Sequence, residues 1–339
     1  MKTRISLLIS ITFFTAFTSC SSSQNSIIVD TDSSLKIFRD SLEKHVYTLA
    51  SDDYQGRRTG EIGQKNAANY IVDYYKKLGI GYPKGSNSYF QYVPADFMKS
   101  NFGPNLKDSE NVWAFFEGSD QSDEVLIISA HYDHMGIMDE QIYYGADDNA
   151  SGTATVMEIA RLFKEAIDKG QKPKKSILFL HVTGEEFGLY GSRYYVENPV
   201  IPLDKTIANL NIDMIGRRSY EYKGTKDYIF LIGSNRLSTD LHNISEAVNK
   251  ETVQLDLDYT FNELNHPDRI YYRSDHYNFV KNGIPAIFYY NGTHEDYHQP
   301  TDTPEKIDYN LLQKRAQLVF NTAWNLVNRD ERPKVDVSE

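Results

Sequence analysis

The run Ser176–Val182 restricts the fold more than any other segment of the chain, because it is apolar almost without a break. A strand with no polar alternation has no face to give to water, so it belongs at the centre of a sheet covered on both sides. Five further strands are predicted, over 111–116, 124–130, 207–214, 228–232 and 286–290. Helices are predicted over 35–49, 62–78, 152–167, 189–196, 237–249 and 309–328. Gly79 stops the second of these, and Val156, Ile159, Ala160 and Phe163 mark one face of the third. The stretch Gly81–Asn105 reads as irregular cover. Strands that alternate with helices imply an α/β fold, with a mostly parallel central sheet and helices on both faces. No internal repeat or low-complexity core interrupts residues 35–330, which read as a single domain.

The amino terminus reads differently. Lys2 and Arg4 precede the apolar run Ile5–Phe17, which is short for a bilayer span, and Thr18 and Ser19 lead to Cys20. Residues 1–19 are predicted to be a signal peptide. Cys20 stands as in a bacterial lipobox, although Phe17 replaces the usual Leu, so residues 20–34 are expected to be a lipidated tether. That implies an exported protein of the bacterial cell envelope, held to a membrane by a lipid anchor at Cys20. Cys20 is the only cysteine, which excludes a disulfide and any cysteine-based zinc site. The net charge of -11 disfavours a nucleic-acid partner.

Any metal must therefore use His, Asp and Glu. His131 ends an apolar strand, and Asp133 is placed to accept its second ring N–H; His134 is a rival ligand expected to face loop or solvent. Asp147 and Asp148 adjoin a helix start, where Asp or Asn would cap with help from Ser151. Glu185 and Glu186 follow the most apolar strand. Adjacent side chains diverge, so one can hold metal while the other faces substrate. Asp213 lies in an apolar segment and needs neutralising, by metal or by Arg217 or Arg218. His298 precedes a Pro-rich loop, with His294 as its rival. Two imidazoles and three carboxylates are the inventory of a two-metal hydrolytic site.

In this order His131-Tyr-Asp133, Gly-Ala-Asp-Asp148-Asn-Ala-Ser-Gly, Glu185-Glu186, Asp213 and Tyr297-His298 resemble the M28 family of zinc aminopeptidases, over roughly residues 35–328. The resemblance implies a three-layer sandwich of the zinc exopeptidase type, two zinc ions per chain and a peptide substrate. It implies that His131 and Asp213 hold one ion, Glu186 and His298 the other, and that Asp148 bridges, with a cis peptide after it. Glu185 would be the general base and Tyr271 an oxyanion donor. Two other readings compete. A glutaminyl cyclase of the same fold commonly has Trp where Tyr297 stands here. A non-enzymatic surface-binding lipoprotein would lack a ligand or the base, and none is missing.

Overall fold

The computed structural model describes residues 32–100, 103, 105–263 and 265–338, so the expected signal peptide, Cys20 and nearly all of the tether lie outside it. The described residues contain ten strands: β1 (Phe90–Val93), β2 (Ser109–Phe116), β3 (Gln121–His131), β4 (Gly136–Met138), β5 (Gln141–Tyr143), β6 (Lys175–Val182), β7 (Thr206–Ile212), β8 (Tyr228–Ile232), β9 (Asp256–Asp258) and β10 (Ala286–Tyr290). Seven helices accompany them: α1 (Arg39–Leu49), α2 (Ile62–Leu78), α3 (Gly152–Asp168), α4 (Tyr190–Glu197), α5 (Thr239–Glu251), α6 (His276–Val280) and α7 (Tyr309–Asn328).

Eight strands form one sheet in the order β1-β2-β6-β3-β7-β10-β8-β9, and β4 and β5 make a separate hairpin. The four central strands, β6, β3, β7 and β10, are parallel, while β2 and β8 flank them antiparallel. The side-chain period of two sorts each central strand between two cores. Ile177 and Phe179 of β6 join Leu126 and Ile128 of β3 in the larger core, under α1, α2, α3, α5 and α7. Leu178, Leu180 and Val182 point the other way, with Val125 and Ile127, toward Tyr195 of α4 and Phe279 of α6. Both faces of β6 are thus covered, as its apolar run requires. Phe163 of α3 illustrates the packing: its ring lies 5.2 Å from Phe320 and 5.8 Å from Trp324 of α7. Burying each such side chain contributes ~1.5–3 kcal/mol.

The differences from expectation are local. Part of Gly81–Asn105 is the edge strand β1, whose four residues carry too little pattern to announce it. The hairpin β4–β5, β9 and α6 are equally short. The first helix starts at Arg39 rather than Leu35, because the preceding chain is held extended on α7: Gln317 Oε1 accepts from Ile37 N–H at 2.9 Å. β7 stops at Ile212, and Met214 turns to a φ of 60°. No described helix is long and apolar enough to cross a membrane.

Candidate metal centre

The parallel central strands open their carboxyl ends on one rim, the place where open α/β sheets gather ligands. His131 is the last residue of β3, Glu185 and Glu186 lie in the turn after β6, and Asp213 directly follows β7. His298 comes from the segment after β10, and Asp148 from the turn Ala146–Ser151 that starts α3. Six residues from five remote segments thereby converge. His131 Nε2 stands 3.2 Å from Asp148 Oδ1 and 3.1 Å from Asp213 Oδ1. His298 Nε2 stands 3.1 Å from Asp148 Oδ2 and 3.0 Å from Glu186 Oε2. Each oxygen of Asp148 thus serves a different imidazole. Glu185 Oε2 stands farther out, 4.0 Å from His131 Nε2.

The supports of these side chains explain their aim. Asn149 ties the start of α3 to the end of β7: its Nδ2 donates to Ile212 O, and its Oδ1 accepts from Met214 N and Gly152 N. Its side chain, and not that of Ser151 at the N-cap position, accepts from the first backbone N–H of α3, as expected of Asn. A Cβ on Gly152 would come within 2.5 Å of Ile212 O, so this close approach requires glycine. The Asp148–Asn149 peptide is cis. Asp302 accepts from the backbone N–H of both Asp147 and Asp148. Asp147 itself turns away and accepts from Gly216 N and from His294 Nε2. Arg57, wholly buried, donates to the carbonyls of Leu49, Tyr132, Tyr144 and Gly145, which locks the surrounding turns together.

Several expectations are corrected. The second ring nitrogen of His131 donates to the backbone carbonyl of Asp133 at 3.2 Å, while the Asp133 carboxylate is 3.8 Å away. That carboxylate instead accepts from Thr59 Oγ1 and Glu185 N. Neither Arg217 nor Arg218 neutralises Asp213: Arg217 pairs with Asp296, and Arg218 with Asp227. Ser274 Oγ donates to Asp213 Oδ2 at 2.7 Å, a partner that sequence reasoning missed. His134 does not face solvent; it is buried, with Nδ1 2.6 Å from Glu186 Oε1. Tyr271 is buried in the apolar cluster around Phe230 and Ile232, and Tyr272 is the tyrosine of that turn that lines the pocket over the rim. The pocket encloses about 280 Å³ and is lined by Asp148, Glu185, Glu186, Asp213 and His298 together with Met214, Ile270, Phe288 and Tyr290.

The donor set suits a divalent cation. Because His131 Nδ1 is committed to the Asp133 carbonyl, Nε2 points at two carboxylate oxygens, an arrangement that needs a proton or cation between them. Ligands ~2.0–2.1 Å from a tetrahedral zinc ion stand about 3.3 Å apart, near the four separations above. The groups His131, Glu185 and Asp213, and His131, Asp148 and Glu186, each offer ligand atoms within 4.8 Å of one another. The field is uneven. Burial, reinforced by Asp213 and Glu186 against the pull of His131, holds the Glu185 carboxyl well above the usual glutamate range. For Glu186, burial and Asp148 push upward, but His134 and His298 outweigh them and hold it below that range.

Residues 111–323 match peptidase family M28. Aminopeptidase YwaD of Bacillus subtilis is 28% identical over 220 residues, covering 62% of this chain and 43% of that protein. The chain spans about half the length of the curated relatives it matches. Among solved structures, BSAP, a zinc aminopeptidase from Bacillus subtilis, superposes with a TM-score of 0.63 at 18% identity, over 88% of this chain and 98% of that one. A glutaminyl cyclase of Bacteroides thetaiotaomicron gives 0.64 at 19% identity, over 88% and 99%. At such identities the two superpositions speak to the fold alone, whereas the matched stretch runs from β2 into α7 and takes in every converging residue named above. The chain belongs to peptidase family M28.

Proposed function

We propose that this chain is a zinc-dependent aminopeptidase that holds two zinc ions and releases N-terminal residues from peptides. One observation carries the reading: the two oxygens of Asp148 face His131 and His298 separately, beside a carboxyl, Glu185, that stands back from both. His131 and Asp213 would hold one ion, Glu186 and His298 the other, and Asp148 both. Zinc supplies Lewis acidity, which acidifies water and polarises a carbonyl.

The rest falls to the protein. Glu185 Oε2 takes a proton from the attacking water and passes it to the leaving amine, a task suited to its raised affinity for protons. The hydrogen bond to the Asp133 carbonyl keeps His131 Nε2 directed into the site, and Ser274 fixes Asp213. Ile270, Phe288 and Tyr290 offer an apolar wall to a substrate side chain. The carboxylate oxygens on the pocket wall can accept from a free α-ammonium. Tyr272, by its place on the wall, replaces Tyr271 as the candidate donor to the oxyanion.

Metal analysis and a paired assay test this. Two zinc ions per chain, with release of N-terminal residues from free but not acetylated peptides, are expected. An absence of zinc, or equal cleavage of blocked peptides, would refute it. The fold likeness to a glutaminyl cyclase favours one other reading. A peptide with N-terminal Gln separates them: free Gln supports the peptidase, and ammonia without free Gln supports the cyclase. The lipobox reading adds export and anchoring at Cys20. Cys20→Ser should then move the protein out of the membrane fraction.

A further inference from the structure

The geometry points to His134 as a positioning residue that commits one oxygen of Glu186, so that only the other is left for a cation. The inference rests on the two-zinc reading above. His134 Nδ1 lies 2.6 Å from Glu186 Oε1 and 3.8 Å from Asp148 Oδ2, so its hydrogen bond is to Glu186 alone. Its Nε2 is buried and has no partner among the described residues. One tautomer suits both ends. With the proton on Nδ1, the ring donates to Glu186 and leaves Nε2 as a bare acceptor. The opposite tautomer would bury an unpaired N–H and set a lone pair against a carboxylate, each a cost of ~1–3 kcal/mol.

The same distance separates His134 from the ligands. Two ligands of one tetrahedral zinc ion stand about 3.3 Å apart. The Asp148, Asp213 and Glu186 contacts of His131 and His298 lie at 3.2, 3.1, 3.1 and 3.0 Å. At 2.6 Å, His134 and Glu186 fit a donor and its acceptor rather than two ligands of one ion. The ring is also fixed from behind. A Cβ on Gly145 would lie 2.5 Å from its Cδ2 and Cγ, and His134 N–H donates to Arg57 O at 3.2 Å. Glu186 Oε2 is left to face His298 at 3.0 Å. A carboxylate with both oxygens free can chelate an ion with the pair. One whose Oε1 already accepts a hydrogen bond offers a single oxygen and leaves a coordination position for substrate or water.

The test titrates zinc-free wild type, His134→Phe and His134→Asn with Zn²⁺ by calorimetry against a competing chelator. Phe keeps the bulk and removes the donor, whereas the Asn amide nitrogen can take the place of Nδ1. Wild type should bind in two steps. In H134F one of the two steps should lose affinity ~10–100-fold, and H134N should recover most of it. An H134F titration matching wild type, or an H134N loss equal to that of H134F, would overturn the proposal. Histidine-selective ¹⁵N NMR of the wild-type chain needs no variant: a neutral ring protonated at Nδ1 supports the proposal, and one protonated at Nε2 ends it. A wild-type titration with a single step would instead refute the two-ion reading, and the tautomer would still decide what His134 does to Glu186.

Discussion

Glu185 and Glu186 leave the same turn into opposite surroundings. Glu186 has His134 at 2.6 Å and His298 at 3.0 Å, whereas the imidazole facing Glu185 is His131, at 4.0 Å. Burial therefore dominates Glu185 and raises its proton affinity, while the two imidazoles lower that of Glu186. Glu185→Gln is expected to keep zinc and to lower kcat by ~10²–10⁴-fold, whereas Glu186→Gln should lose zinc. Steady-state hydrolysis of an aminoacyl anilide and metal analysis read both. Because the base must be ionised, kcat/KM should fall on the acid side as Glu185 takes up a proton. Wild-type turnover in E185Q would remove Glu185 from this role.

Chelation should destabilise the fold. Asp148, Glu185, Glu186 and Asp213 crowd the wall of one pocket, and like charges ~4 Å apart cost about 4 kcal/mol at an effective dielectric constant of 20. Zinc at a thousand times its Kd should restore ~4 kcal/mol per ion. Thermal unfolding with and without chelator measures this, and a Tm that ignores the metal contradicts it.

Away from the rim, Glu158 of α3 provides a test of acid stability. Burial pushes its carboxyl up, but His45, Arg161 and Ser41 prevail and hold it down to about 2, against an ordinary 4.5. A depressed folded-state pKa adds stability that is fully present above pH 4.5 and lost as the pH falls toward 2. That shift corresponds to about 3 kcal/mol. Urea unfolding of wild type at pH 7 and pH 3 should show the loss, and Glu158→Gln should shrink the difference by about 2 kcal/mol. An equal pH dependence in E158Q would place the effect elsewhere.

Gly145→Ala should damage both fold and site. Gly145 has a φ of +55°, and an added Cβ would meet Asp148 O at 2.1 Å and the His134 ring at 2.5 Å. A loss of ~2–3 kcal/mol in unfolding free energy is expected from strain at such a position, together with weaker zinc binding. Stability within 0.5 kcal/mol of wild type would mean that the turn relaxes freely.

What could be read in the sequence follows from what is local. β6 is legible because both its faces are covered, so every residue is apolar or internally paired. His131, Glu186 and Asp213 could be grouped because each ends or follows a strand, and strand ends in a parallel sheet share a rim. The placement of His134 was not legible, since its burial depends on the backbone of Gly145, eleven residues on and across the β4–β5 hairpin. Tyr271 and Tyr272 could not be told apart, because a single 3₁₀ turn, Ile270–Tyr272, decides which of them looks inward. Ser274 gave no signal, since a serine beside Asp275 acquires meaning only when β7 brings Asp213 to it.

The described chain begins at the rim opposite the pocket. Asp32 and Ser34 contact Gln171 and Lys169, in the connection that enters β6 from its start. The eight residues of β6 then separate that entry from the pocket side, a rise of roughly 26 Å at about 3.3 Å per residue. A surface that grips the protein upstream of Asp32 would therefore pull on the end of the sheet remote from the cleft.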